Sequence, residues 1–382
     1  MKNEDKAIAK MCAALGSPHL ASSMSQAAWR DVQPVLIRVM RDRALRGQIT
    51  DLLSDYEEKF GIYGTSKTDQ RTLHEFTGHY YAVLPQAYQV PELAPTTPLG
   101  LNALLTQVSQ DITLSSIRMS EVVSDPTTAL ALHCASLRKS LLPIPDRKLE
   151  PVHLATMHRV LRLQPFDQTK GYMQHFRLFG LCSGGRNTQT GSFNVNSIKE
   201  HISIWLDLIS RLDCNGYKFN HPEVLISDVG MLETLIQHHN IDRDVVNRHS
   251  LDDEFDLFDY FGVTLPKEIE SLDQLSSETV AEHGLTKHVN TLKLTEDQIL
   301  RPLRAKYPSV KFGFDLARKA GLGYYTQICY HVFAKNRSGR RVQLADGGDT
   351  DWLTKLLSSK KERMVTSGFG CELIQALFLQ PS

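Results

Sequence analysis

Between residues 31 and 60 apolar positions recur at helical spacing: Val35, Leu36, Val39 and Met40, then Ile49, Leu52, Leu53 and Tyr56. Arg38, Arg41, Arg43, Arg46, Glu57, Glu58 and Lys59 fill the polar positions. The pattern predicts an amphipathic helix or a pair of helices, ended by Gly61 and Gly64. Residues 1–30 are rich in Ala, Ser and Met and weakly patterned, and read as a loosely attached helical extension. Residues 62–100 hold Pro85, Pro91, Pro95 and Pro98, and read as extended segments and turns. A short apolar run follows at 101–108. Asp125-Pro126-Thr127-Thr128 then opens a helix through 129–137, with Asp125 or Thr127 as its cap.

Runs 152–163 and 172–181 are strand-like and are joined by a polar loop, 164–171. Ser183-Gly184-Gly185-Arg186-Asn187 reads as a turn. Ile198, Ile202, Trp205, Leu206, Ile209 and Leu212 fall on one face of a helix. Residues 221–310 read as helical, with an acidic, solvated run at Asp252, Asp253, Glu254, Asp256 and Asp259. The remainder returns to strand, glycine turn and helix. Strands in hairpin-like succession, with helices grouped around them, predict an α+β fold: an antiparallel β-sheet flanked by helices, not a doubly wound parallel sheet. The expected organisation is an N-terminal helical region (1–60), a first part of the core (61–220), a helical insertion (221–310) and a second part of the core (311–382).

Lys+Arg and Asp+Glu both total 43 among 382 residues, so no net charge draws in nucleic acid or an anionic membrane, and neither DNA nor a membrane is an expected partner. No apolar run reaches the ~18–20 residues of a membrane span, and residues 1–10 are charged and lack a signal-peptide core. Cys12, Cys134, Cys182, Cys214, Cys329 and Cys371 are scattered without a CxxC pair, which fits reduced thiols in a cytoplasmic protein and supports no zinc site. His238-His239 has no third ligand nearby and reads as surface. A Gly-rich phosphate loop of either common type is missing, which excludes the usual nucleotide-binding folds.

The most informative stretch is 311–334, KFGFDLARKAGLGYYTQICYHVFA. Phe312, Phe314, Leu316 and Ala317 lead to a Gly321-Leu322-Gly323 break, and the aromatic and β-branched run from Tyr324 to Phe333 reads as a strand. This stretch resembles the segment of the histidyl-tRNA synthetase family in which a Gly-Leu-x-Tyr-Tyr-Thr signature runs along the floor of the histidine pocket. The resemblance gives substrate contacts to Tyr324 and Tyr325. Three further stretches fall in the order of the class II aminoacyl-tRNA synthetase core. Residues 123–127 resemble the segment whose carboxylate and threonine hold the amino group of histidine, which implies that role for Asp125 and Thr127. An ammonium needs such acceptors, and a helix cap is compatible with the same residues. Arg162-Leu163-Gln164, through Lys170-Gly171, to His175-Phe176-Arg177 resembles motif 2, which grips ATP. Arg162 stands where the family's arginine binds the α-phosphate, a role that suits a planar bidentate fork. Gln164 stands where the family has an acid. Residues 345–353 resemble the family's double-glycine turn, and 367–378 resemble motif 3. Over roughly 90–382 the resemblance implies the class II fold, a homodimer with 31–60 and the Pro-rich stretch near its interface, and a ligand that is an amino acid or small carboxylic acid, with ATP and Mg2+ as cofactors of an active enzyme.

The departures bear on activity. Ala320 stands where the family has an arginine, Asp349 replaces the arginine of the double-glycine turn, and Ile374-Gln375 replaces a glutamate-arginine pair. Leu178 and Cys182 occupy the histidine-reading positions. A charge-assisted contact is worth roughly 1.5–3 kcal/mol, so two or three lost arginines cut catalysis by several powers of ten. Arg318, Lys319, Arg186 and Arg177 are the nearby candidates to replace them, Arg186 toward the substrate and Arg177 toward ATP. The chain also ends at Ser382, straight after the motif 3 helix, where the family's anticodon-binding domain is expected to be missing. Two readings follow. One is a paralog that binds an amino acid or related small molecule without charging tRNA, similar to the regulatory subunit of ATP phosphoribosyltransferase and acting with a catalytic partner protein. The other is an ATP-dependent adenylate-forming ligase with a recast site and a non-tRNA acceptor, in which Asp346, Asp349, Thr350 and Asp351 supply carboxylates for Mg2+. Basic groups converging on Arg162 favour the ligase. An apolar or acidic lining favours the binding protein.

Overall fold

The computed structural model describes residues 3–164, 173–188, 192–249 and 255–380. In chain order its strands are β1 (Tyr88–Gln89), β2 (Thr96–Pro98), β3 (Ser115–Ser116), β4 (Ser120–Val122), β5 (Val152–Leu161), β6 (His175–Arg186), β7 (Asn220–Asp228), β8 (Glu268–Ile269), β9 (Lys311–Asp315), β10 (Ile328–Lys335), β11 (Arg341–Thr350) and β12 (Glu362–Gly370). Nine of them form one sheet in the order β1-β5-β6-β12-β11-β10-β7-β9-β8, while β2, β4 and β3 form a small separate one. The large sheet is antiparallel except where β1 meets β5 and β7 meets β9. Helices cover both faces, as the order of elements predicts. No described helix is long and apolar enough to cross a membrane.

Register decides what faces what. Along β6, residues 178, 180, 182 and 184 face the helix Pro126–Leu141, and the alternate residues face the helix Phe193–Asp213. On the second face Trp205 stacks on Phe369 with ring centroids 5.2 Å apart, and Tyr80 stacks on Phe179 at 4.0 Å. These rings anchor the larger core. Ser183, His201 and Ser367 form a buried polar chain beneath them: His201 contacts Ser183 Oγ at 2.9 Å and Ser367 Oγ at 3.0 Å. Burial pushes the His201 pKa down to about 3, so the ring is neutral.

Four expectations are corrected. Residues 70–83 form a helix, Gln70–Val83, capped by Asp69 and burying Leu73, Phe76, Thr77 and Tyr80 at helical spacing. The prolines that suggested extended chain begin only beyond it. Residues 183–186 continue β6 and do not turn. A Cβ at Gly184 would overlap Cys134 and one at Gly185 would overlap Phe193, so these glycines admit the two helices that sandwich the strand. Residues 345–350 and 367–370 likewise lie in β11 and β12. Finally, β7 sits inside the stretch read as a helical insertion. Val224, Leu225 and Ile226 are all buried, so the strand lacks the alternation of a half-buried one. Residues 165–172, which include Lys170 and Gly171, and Asp252, Asp253 and Glu254 lie outside the described residues.

Candidate functional site

The sheet, the N-terminus of the helix Pro126–Leu141 and the glycine turn before β10 enclose a cavity of about 630 Å3. Its position follows from local chemistry. Asp125 caps the helix by accepting from the Thr127 backbone N–H at 2.9 Å, with Pro126 at the first helical position. The Thr127 hydroxyl donates to the same oxygen, Oδ1, at 2.7 Å. Gly321, at φ +92°, reverses the chain so that the Tyr324 and Tyr325 N–H groups both reach its carbonyl. The reversal places the Tyr324 hydroxyl 2.9 Å from Thr127 Oγ1 and lets it donate to Asp125 Oδ2 at 3.2 Å. Burial, reinforced by the neighbouring Asp125 charge, pushes the Tyr324 pKa well above its ordinary value and keeps the phenol a donor. Asp125, Thr127 and Tyr324 thus form a single acceptor-rich corner, and the cap and the corner coexist.

Arg162 lines the cavity beside this corner. Its Nε donates to the Ser124 carbonyl at 2.8 Å, its Nη2 lies 3.8 Å from Asp125 Oδ2, and its guanidinium stands over the Phe176 ring. Gln164 and Tyr325 line the cavity too. Arg177 and Arg186 do not. Arg177 is the register neighbour of Arg159 and its Nη1 contacts Met157 Sδ at 3.4 Å, on the side of β6 opposite Leu178. Arg186 pairs with Glu362, which also holds Arg138; Arg138 and Glu362 are both 0% exposed. That pair closes the core, not the cavity.

The positions that depart from the family divide in the same way. Leu178 and Ala320 line the cavity, whereas Cys182 is buried beside Leu154 and Cys134. Ile374 and Gln375 are buried in the C-terminal helix Glu372–Phe378. Asp349 faces away from the cavity and accepts from the Gln327 and Ile328 N–H groups at 3.0 and 2.8 Å. Burial raises its pKa to about 6 against those donors. Asp346 does line the cavity, and its Oδ1 accepts from Arg318 Nη2 at 2.7 Å. Burial opposes the charge on Arg318 most, but its neighbours, Asp346 first among them, together outweigh it and hold the guanidinium protonated. Sequence reasoning missed the polar Asn102, Thr106 and Gln343, which also line it.

Among the described residues, then, the basic side chains of the cavity are Arg162 and Lys319, and Lys319 Nζ donates to the Phe255 carbonyl at 2.7 Å. Among the described residues no group of three His, Cys, Asp or Glu is placed to hold a metal ion. An ammonium at Asp125 with a carboxylate at Arg162 does fit.

The architecture is that of a class II synthetase-like core, with a large mostly antiparallel sheet between helices. Its structural neighbours include histidyl-tRNA synthetases and a chain described as an ATP phosphoribosyltransferase regulatory subunit/histidyl-tRNA synthetase. An ATP phosphoribosyltransferase regulatory subunit/histidyl-tRNA synthetase from Bacillus halodurans superposes with a TM-score of 0.55 at 17% identity, over 82% of this chain and 81% of its own. Histidyl-tRNA synthetase from Nostoc sp. PCC 7120 gives 0.60 at 15% identity, over 84% of this chain and 77% of its own. A histidine–tRNA ligase subunit from Alicyclobacillus acidocaldarius gives 0.57 at 14% identity, over 82% and 95%. At these identities the likeness is one of fold. No protein-family model and no curated protein matches the sequence.

Proposed function

We propose that the protein is a histidyl-tRNA synthetase-like paralog that binds an amino acid or related small molecule without activating it or charging tRNA. The observation that carries this reading is the lining of the cavity: Asp125, Thr127 and Tyr324 form a corner suited to an ammonium, beside Arg162. A zwitterion satisfies both, whereas the arginines needed to hold a triphosphate do not gather there among the described residues. The protein is read as a cytoplasmic homodimer that passes its ligand state to a catalytic partner protein, as the regulatory-subunit neighbour suggests. Exposed Val39, Met40, Leu45, Ile49, Leu52 and Leu53 on its N-terminal helices support an interface between copies. The adenylate-forming ligase is the second reading, favoured by Arg162 alone.

Thermal-shift screening of the purified chain against pools of the twenty amino acids, and separately against ATP–Mg2+, tests the choice. The proposal expects a shift from an amino-acid pool without ATP and no amino-acid-dependent exchange of pyrophosphate into ATP. A shift with ATP–Mg2+ that Arg162→Ala abolishes, together with exchange, overturns it in favour of the ligase.

A further inference from the structure

Asp346 supplies a second carboxylate to the cavity, held unlike the first. Its protein contacts converge on one oxygen: Arg318 Nη2 donates to Oδ1 at 2.7 Å, and His331 Nε2 lies 3.7 Å from that same atom. Burial, then the Arg318 charge, pushes the His331 pKa down to about 3, so His331 brings no charge. Arg318 is pinned in turn by donating from Nε to the Ala320 carbonyl at 2.9 Å and by lying over the Tyr325 ring. The Arg318 side chain is 2% exposed and that of Asp346 is 34% exposed. Asp346 Oδ2 has no hydrogen-bond partner among the described residues, and Asp346 lines the cavity. A buried cation therefore orients a carboxylate that keeps one oxygen for a ligand.

The sheet register places this oxygen relative to the ammonium corner. Asp346 is the cross-strand partner of Gly368, and Gly368 is the partner of Gly180. Pro126, next to Asp125, stands over Gly180, where a Cβ would touch its ring. The two carboxylates are thus about two strand spacings apart, ~10 Å between backbones. Gly368 and Leu178 lie on the sheet between them and bring no polar side chain to the cavity. A ligand that reaches both carboxylates needs a cationic donor at each end of an aliphatic stem.

We propose that the ligand is an amino acid with a cationic side chain, whose α-ammonium meets Asp125, whose carboxylate meets Arg162, and whose side-chain ammonium or guanidinium meets Asp346 Oδ2. The inference rests on the amino-acid-binding reading above. A charged donor suits this oxygen because charge-assisted hydrogen bonds to a carboxylate are about twice as strong as neutral ones. A shorter or apolar side chain leaves Asp346 unmet.

Calorimetric titration of the full chain with lysine, ornithine and arginine, against norleucine, histidine and glutamate, tests it. Norleucine matches the stem of lysine and lacks only the ammonium. The expected result is lysine, ornithine or arginine bound about ten- to a hundredfold more tightly than norleucine, with Asp346→Asn bringing the lysine-to-norleucine ratio to within about threefold. Norleucine or histidine bound as tightly as the best basic amino acid overturns the inference while leaving the amino-acid reading intact. No binding by any amino acid overturns both. The wild-type preference decides even where Asp346→Asn, which leaves buried Arg318 facing an amide, fails to fold.

Discussion

Asp125 carries two jobs that two substitutions separate. Its Oδ1 caps the helix Pro126–Leu141 and its Oδ2 faces Tyr324 and Arg162. Asparagine caps about as well as aspartate, so Asp125→Asn costs a few tenths of a kcal/mol of stability. Asp125→Ala removes the cap and costs about 1–2 kcal/mol. The Arg162 contact adds little to either figure, because at 3.8 Å and with 27% of the arginine side chain exposed the pair is weak. Ligand binding follows a different order. Both variants lose the carboxylate proposed to take the ammonium, a charge-assisted contact of roughly 1.5–3 kcal/mol, which is about a 10- to 150-fold rise in Kd. Chemical denaturation and calorimetry on the same preparations read the two effects. The reasoning is refuted if Asp125→Asn binds the amino acid as tightly as the wild type, or if it loses as much stability as Asp125→Ala.

Three further outcomes are expected. Glu362→Ala strands the fully buried Arg138 guanidinium and lowers the free energy of unfolding by about 3–5 kcal/mol, read in urea. His201, whose folded pKa of about 3 lies below the ordinary 6.5, withholds a proton that the unfolded chain accepts, so its contribution is present above pH 6.5 and is lost on acidification. The stability advantage of the wild type over His201→Gln therefore shrinks by about 1.4 kcal/mol per pH unit between pH 6 and pH 3, and a pH-independent difference contradicts this. Leu52→Glu with Leu53→Glu, two exposed positions on the helix Ile49–Glu58, leaves the melting temperature within a few degrees and turns a dimer into a monomer by light scattering. A wild-type monomer rules out the homodimer.

The parts of the fold that were legible were those where local pattern and tertiary demand agree. The amphipathic face of 198–212, the Asp125 cap and the order of the four synthetase-like stretches all belong to this class, and they bring Asp125, Thr127, Arg162, Gln164, Tyr324 and Tyr325 to one cavity. Arg177 was misplaced although strand alternation held the answer: with Leu178 facing the cavity, its neighbour on β6 faces away. Arg186 had no such signal, because its partner Glu362 is distant in sequence and the pairing needs β6 and β12 to be adjacent. Glycine pairs misled twice. Gly184-Gly185 and Gly347-Gly348 lie in strands that Cys134, Phe193, Ser367 and Tyr330 approach too closely for any side chain. Reading 345–353 as a turn also hid which way Asp346 faces, and with it the second carboxylate of the cavity.

The cavity is proposed to hold an amino acid without the help of ATP. Calorimetric titration of the full chain with its tightest-binding amino acid, in the absence and then the presence of ATP–Mg2+, tests it most directly. One ligand per cavity is expected without nucleotide, with an unchanged Kd when nucleotide is added. Binding seen only with ATP–Mg2+, or no binding under either condition, contradicts it.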